Sequence, residues 1–472
     1  LGAAANHPEP MVRRRAALAL GRIGDSAGTP LLLELLEDPA AVVRQDAAFA
    51  LGMLRDRSAV ASLRDLVLST AQSEQGPMHR EAVTAIAQIH QLDAADFYEE
   101  LFVRWVGRAV AGEELPGTVI RALVESWRMG AHAPVDRLAQ FAESPDRSAR
   151  IASLYSLMRL RAPAGANAFV RSLEESDRFL RAVAARALTA AYADSAGLDR
   201  DGTARRIVTL VEDPDPHVRI NALRSLGTYE DPSYVSAAAN GLADSDPNGR
   251  VQALTALGQL GGVEAERLLF DNLNRGTFAE RRQALLGLAR IARDSALVHC
   301  AGWIISDEWA TRLVGIEALG IVGGDTARAW LEGLARDLDE RVSARALSAL
   351  ARVDTAASGS LARELVLHAD PLVRATSARI IRDAPRAGDV ELLSEAFGQS
   401  LRDGGSDART AIVRAVAAIA ETGPSARISV EENFLRRFPT CDDYLVRKLA
   451  HEIFPAAAAL WGAPTPVETG LN

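Results

Sequence analysis

Residues 213–227 read DPDPHVRINALRSLG, and residues 244–258 read DSDPNGRVQALTALG. The second stretch is a shifted echo of the first. Each places an Arg, Arg219 and then Arg250, at the same point ahead of an apolar segment that closes on Leu-Gly. Self-similarity at a fixed interval marks a stacked-repeat architecture, so it is read before any division into domains. With that Arg as a marker, equivalent positions fall at Arg13, Arg44, Arg80, Arg121, Arg150, Arg181, Arg219, Arg250, Arg281, Arg312, Ser343, Arg374, Arg409 and Arg447. The interval is 31 residues for every step from Arg219 to Arg374 and varies between 29 and 41 elsewhere.

Each unit has a physical grammar. Four residues before the marker stands a cap, often acidic, as at Asp146, Asp177, Asp215, Asp246, Glu308, Asp339 and Asp370. Its carboxylate can accept the free N–H groups of a first helical turn. Pro follows at Pro10, Pro77, Pro216, Pro247 and Pro371, where a helix needs no N–H and φ is preset. Apolar or small residues recur three, four and seven places after the marker, for example Ala253, Leu254 and Leu257. That spacing is one face of an α-helix. Gly21, Gly52, Gly227, Gly258 and Gly320 then close the segment, where a left-handed cap is expected. A second, shorter amphipathic segment lies between these helices, as in 29–38, 264–275 and 326–337. Two helices per repeat predict an all-α fold, a right-handed α-α superhelix of about 14 helix pairs.

The pattern Asp-Pro-x-x-Val-Arg followed by Ala-x-x-Ala-Leu-Gly, seen in 38–54 and 215–227, resembles HEAT repeats. The likeness is to the short bacterial type first named from phycobilin lyases. It spans nearly the whole chain and implies an armadillo-like solenoid, but it does not imply an activity, because fold does not fix function. The predicted organisation is a continuous solenoid over 1–460, irregular at 90–120 and 190–205, with 461–472 as a Pro- and Thr-rich linker or arm. The aromatic stretch 93–110 reads as an elongated first helix or a break, and 193–202 as a loop between repeats.

Composition narrows the function. The formal net charge is −9, which argues against a general nucleic-acid binder. Aromatic residues make up 5%, so the core must be aliphatic. The two Cys, Cys300 and Cys441, form no Cys-x-x-Cys, and no apolar run approaches the roughly 18 residues of a membrane span. With Lys448 as the single Lys, a phosphate-binding Gly-x-x-x-x-Gly-Lys loop is excluded. The scattered His residues, among them His79 and His90, offer no clustered ligands. No metal, cofactor or catalytic residue is predicted.

The marker Arg admits two readings. It could form a stripe of anion contacts, or a ladder that holds repeats together. An acidic residue also precedes the marker by six in many units: Asp38, Glu175, Asp213, Asp244, Asp337 and Asp403. A guanidinium fork can bond a carboxylate and the carbonyls of a turn at once. A binding site rarely uses every repeat, so Arg13, Arg44, Arg181, Arg219, Arg250, Arg281, Arg312 and Arg374 are expected to be structural rungs. Ser343 interrupts the series, with Arg341 or Arg345 as its expected substitutes.

Function is therefore expected where the pattern varies. The row five residues after the marker is predicted to face a groove. Phe49, Tyr155, Arg186 and Arg224 lie in it and Trp127 adjoins it. Aromatic residues and Arg are common interface anchors. The expectation is a non-catalytic, monomeric scaffold binding a protein or peptide in that groove. The plainer alternative is that Phe49 and Tyr155 only pack between repeats. AAFALGML near the start and the Pro-rich close (461–470) are also similar to the HEAT portion of bacterial fusions with a cyclophilin-type peptidyl-prolyl isomerase. That resemblance implies an exported, cell-envelope or periplasmic protein whose isomerase domain lies beyond this segment. The chain opens mid-pattern on Leu-Gly, so any export signal is expected outside it too.

Overall fold

Asp four places before a marker starts a helix, whereas Glu308 holds that position without a side-chain cap bond. In the computed structural model, which describes residues 1–69, 76–436 and 443–454, Asp177, Asp215, Asp246, Asp339 and Asp370 each accept the N–H two residues further on at 2.7–3.0 Å. Asp146 accepts that of Ala149 at 2.7 Å. The five prolines that follow the cap position are each the first residue of a helix. Among the described residues every regular element is helical, and no strand occurs.

The chain forms two compact units, divided between Gly261 and Gly262. In the first, the marker-bearing helices are α1 (Pro10–Ile23), α2 (Ala41–Leu54), α3 (Pro77–Ile89), α4 (Gly117–Glu125), α5 (Arg147–Leu160), α6 (Arg178–Ala187), α7 (Pro216–Gly227) and α8 (Pro247–Leu260). In the second they are α9 (Phe278–Ile291), α10 (Trp309–Val322), α11 (Glu340–Val353), α12 (Pro371–Asp383), α13 (Asp407–Ala420) and α14 (Tyr444–Ile453). Within each unit every one of these B helices packs on the next. Shorter A helices, such as Thr29–Leu35 and Gly324–Leu334, lie against them. The residues three, four and seven after the marker are the contact face. Ala222, Leu223 and Leu226 are fully buried, as are Ala253, Leu254 and Leu257. Each such Leu contributes roughly 1.5–3 kcal/mol by leaving water.

The closing glycines are not caps. None of Gly21, Gly52, Gly227, Gly258 and Gly320 has positive φ. They lie inside or at the last residue of a helix, and three of them permit a close approach to the next B helix. A Cβ on Gly21 would lie 2.9 Å from the Cα of Ala50; on Gly52, 3.0 Å from that of Ala85; on Gly227, 3.0 Å from that of Ala256. The left-handed ends come a few residues later, at Gly24 (φ 72), Arg55 (φ 58) and Arg161 (φ 53).

Two irregular stretches resolve. Gln91–Val110 is one elongated A helix. It is anchored by buried Phe97, Tyr98 and Phe102, and the Tyr98 hydroxyl donates to the Val83 carbonyl at 2.9 Å. The polar stretch 193–202, read as a loop, ends the helix Ala190–Ser195, turns over 196–199 and begins the helix Arg200–Val208. Tyr192 overrides its polarity: it is buried and its hydroxyl donates to the Ala162 carbonyl at 2.7 Å. The 461–472 stretch lies outside the described residues.

Candidate functional site

The marker arginines expected as rungs are occupied, whereas Arg80 is exposed, its side chain with no hydrogen bond or ion pair among the described residues. Arg219 donates through Nε and Nη2 to both oxygens of Asp244, at 2.8 and 2.6 Å. Its Nη1 donates to the carbonyls of Asp213 and Pro214, at 2.8 and 3.1 Å. Arg181 repeats this with Asp213 at 2.7 and 3.0 Å and with the carbonyls of Glu175 and Ser176. Arg13 meets Asp38 at 2.5 and 2.8 Å, Arg150 meets Glu175 at 2.8 Å, Arg312 meets Asp337 at 3.2 Å, and Arg374 pairs with Asp403. Each carboxylate thus receives the Arg of the preceding repeat. The Arg219 guanidinium and the Asp246 N–H hold the Asp244 carboxyl below the usual carboxylate range, against the opposing effect of burial. Arg13 does the same to Asp38. Arg44 and Arg250 bond the carbonyls of Asp38 and Asp244, and Arg281 that of Leu273 at 3.0 Å. At the interruption, Ser343 donates to the Ala335 carbonyl at 2.6 Å. Neither proposed substitute takes the place of the missing Arg: Arg341 pairs with Asp339, and Arg345 is exposed.

The row five after the marker is split: Ala85, Ser126 and Leu286 are buried in the packing, and the other positions leave it to varying degrees. On α5, α6 and α7 it carries half-buried Tyr155, exposed Arg186 and exposed Arg224. Arg159, one turn beyond Tyr155, places its guanidinium 3.9 Å from the centre of the Trp127 ring and 3.5 Å from the Tyr155 hydroxyl. Arg128 covers the same indole at 4.7 Å. Among the described residues Arg224 bonds Asn221 alone, at 3.4 Å. Burial, and then the charge of Arg186, lower its pKa. The structure therefore joins Trp127 to Tyr155 through Arg159, and sets Arg186 near Arg224. Phe49 stands on α2, 42% exposed, with no aromatic or cation contact among the described residues.

In the second unit the same face holds a groove of about 500 Å³ across α9 to α12. Leu313 and Ala344 line it, with buried Val314 beneath. Phe278, Trp309 and Leu372 stand at its edges, 49%, 40% and 43% exposed. Arg341 lies over the Trp309 ring at 3.8 Å, and Glu317 is paired with Arg282 at 2.8 Å.

A family model described as HEAT repeats matches residues 1–75 and 204–289. Those two stretches are HEAT repeats. Among solved structures it is similar to a chain of a complex in which Kap95p binding induces the switch loops of RanGDP to adopt the GTP-bound conformation. The identity there is 13% over 98% of this chain and 73% of that chain, with a TM-score of 0.50. Importin beta in an ammonium sulfate condition is 12% identical over 98% of this chain and 67% of that chain, with a TM-score of 0.46. YibA of Escherichia coli is 16% identical over 61% of this chain and 91% of that chain, with a TM-score of 0.35. No curated protein matches the chain in sequence.

The groove residues escaped the sequence reading, although a signal was present. Three before the marker most repeats carry Pro or a small or basic residue; two successive ones carry Phe278 and Trp309. Arg159 was missed too, though it is one helical turn from Tyr155 on the same face. No group of three His, Cys, Asp or Glu able to hold a metal occurs among the described residues. Cys300 is buried, and burial pushes its thiol up to about 12, so it is no nucleophile at neutral pH. No described helix is long and apolar enough to cross a membrane.

Proposed function

We propose that the chain is a non-catalytic interaction scaffold whose HEAT repeats bind a protein or peptide partner along the outward face of the B helices. The observation that carries this reading is the row Tyr155, Arg186 and Arg224 on three consecutive helices. Two of its members are cations without a carboxylate partner among the described residues, beside the Trp127–Arg159 stack. A folded chain satisfies its buried charges internally, as the marker arginines do. Cations left free on a rigid repeated surface are available to another molecule, and Arg beside an aromatic ring is a common composition of binding hot spots. Phe49 extends the apolar part of this face in the same unit.

The test is a photo-crosslinking amino acid placed at 186 or 224, with a control at 206 on the A helix Arg200–Val208. Adducts formed from 186 and 224 but not from 206 are expected. A crosslinker at 155 should also give adducts, and those should be lost when Arg186→Glu and Arg224→Glu are introduced. Equal adducts from all three sites would overturn the reading.

A further inference from the structure

We propose that the groove across α9 to α12 is a second docking site, one that takes an acidic peptide segment carrying a single large apolar side chain. The proposal rests on the scaffold reading and adds a place and a chemistry to it.

The apolar half of the argument is shape. A cleft of about 500 Å³ falls within the range of roughly 300–1,000 Å³ typical of small-ligand sites. It is too small for a folded partner and suited to one bulky side chain with its flanking backbone. Its floor is aliphatic, at Leu313 and Ala344. Its rim holds Trp309, Phe278 and Leu372, three large side chains that the unit's own packing leaves partly in water.

The charged half is a mismatch between the arginines and the acids of this face. The groove's acid, Glu317, is neutralised by Arg282. Arg345, also lining the groove, has no ion pair or hydrogen bond among the described residues. The row of Glu317 and Ser348 continues to Arg379 on α12 and Arg414 on α13, both exposed and both without a carboxylate partner among the described residues. The chain as a whole is acidic, at −9, yet this stretch of the row carries two cations and one neutralised acid, before exposed Glu452 on α14. A local cationic track beside an apolar cleft complements a segment of opposite charge with one anchor residue. Acidic net charge weighs against a nucleic-acid occupant, which would be repelled by the rest of the surface.

The experiment uses the full chain and a short fluorescein-labelled peptide of Asp and Glu with one central Phe, read by fluorescence polarisation. Saturable binding is expected, weakened by added salt. It should be weakened about tenfold or more when the Phe is replaced by Ser or when Arg345→Glu and Arg379→Glu are combined. Both arginines are exposed, so the double variant should keep its circular dichroism spectrum. Trp309→Ala should weaken the Phe peptide and leave the Ser peptide unchanged. The Arg186→Glu/Arg224→Glu variant should bind as the parent does. If that variant alone loses the peptide, the scaffold reading stands and the groove does not. Equal binding of a Lys-substituted peptide, or tighter binding of labelled oligothymidine, would overturn the proposed chemistry.

Discussion

Replacing Arg219 with Met is the most informative single perturbation of the ladder. The side chain keeps its aliphatic stem and loses four hydrogen bonds: two to Asp244 and two to the carbonyls of Asp213 and Pro214. Asp244 is left 2% exposed, and Arg219 is itself only 15% exposed. Breaking a fully buried pair costs about 3–5 kcal/mol, whereas an exposed pair is worth about 0–1 kcal/mol. Asp244 keeps the Asp246 N–H at 2.9 Å, and the rung borders solvent, so the expected cost is about 2–3 kcal/mol. Urea denaturation followed by circular dichroism measures it. Hydrogen exchange should place the loss in the repeats around 213–250, because repeat arrays are stabilised by nearest-neighbour interfaces. In a double-mutant cycle with Asp244→Asn, a coupling of about 1–2 kcal/mol is expected. The exposed pair Glu264–Arg267 is the control. If Arg219→Met costs no more than Arg267→Met, or if the cycle shows no coupling, the rung is not a structural element.

Two further outcomes follow from the fold. Asp38, Asp244 and Asp339 all have carboxyls below their ordinary values, Asp339 at about 2 through its bonds from Arg341. A carboxyl depressed in the folded state binds protons more readily when unfolded. Its contribution is therefore full above the unfolded value of about 3.9 and fades as pH falls through the folded one. The thermal midpoint should decline below about pH 4, with the Asp339 contribution persisting longest; a midpoint flat from pH 6 to 3 would contradict this. Gly21→Ala and Gly107→Ala should have opposite signs in the same thermal assay. The first drives a Cβ against the Ala50 backbone and should cost about 1–2 kcal/mol net, after the gain in helix propensity. The second meets nothing within 4 Å, inside an α-helix, and should stabilise by about 0.5–1 kcal/mol.

The repeat was legible because its signals are local. Asp215 caps two residues away, Pro216 presets one dihedral, and Ala222, Leu223 and Leu226 share a face by period alone. The glycines show where that logic stops. Gly227 sits near a helix end and reads as a cap, but what selects it is the backbone of Ala256 in the next repeat, a contact that no local pattern encodes. Arg345 illustrates the same limit. Sequence spacing makes it a neighbour of Ser343, yet its guanidinium turns outward and Ser343 closes the gap with its own hydroxyl. The groove was hidden for a different reason. Phe278 and Trp309 occupy a position whose usual occupant is a helix starter, so the eye reads them as imperfect starts. Only side-chain positions show that both stand at the rim of one cleft with Leu372.

Asp213 faces two ways. Its carboxylate receives Arg181, and its carbonyl receives Arg219. Asp244 stands likewise between Arg219 and Arg250. The joint is thus identical at both ends of the interval. A gene that lost the codons for 213–243 would bring Arg181 to Asp244 and regenerate the bond it had removed. Length in such an array can change by whole periods without leaving a stranded charge, whereas a partial insertion has to be absorbed elsewhere. The lengthened helix Gln91–Val110, with its own aromatic anchor, is the form that such an accommodation takes in this chain.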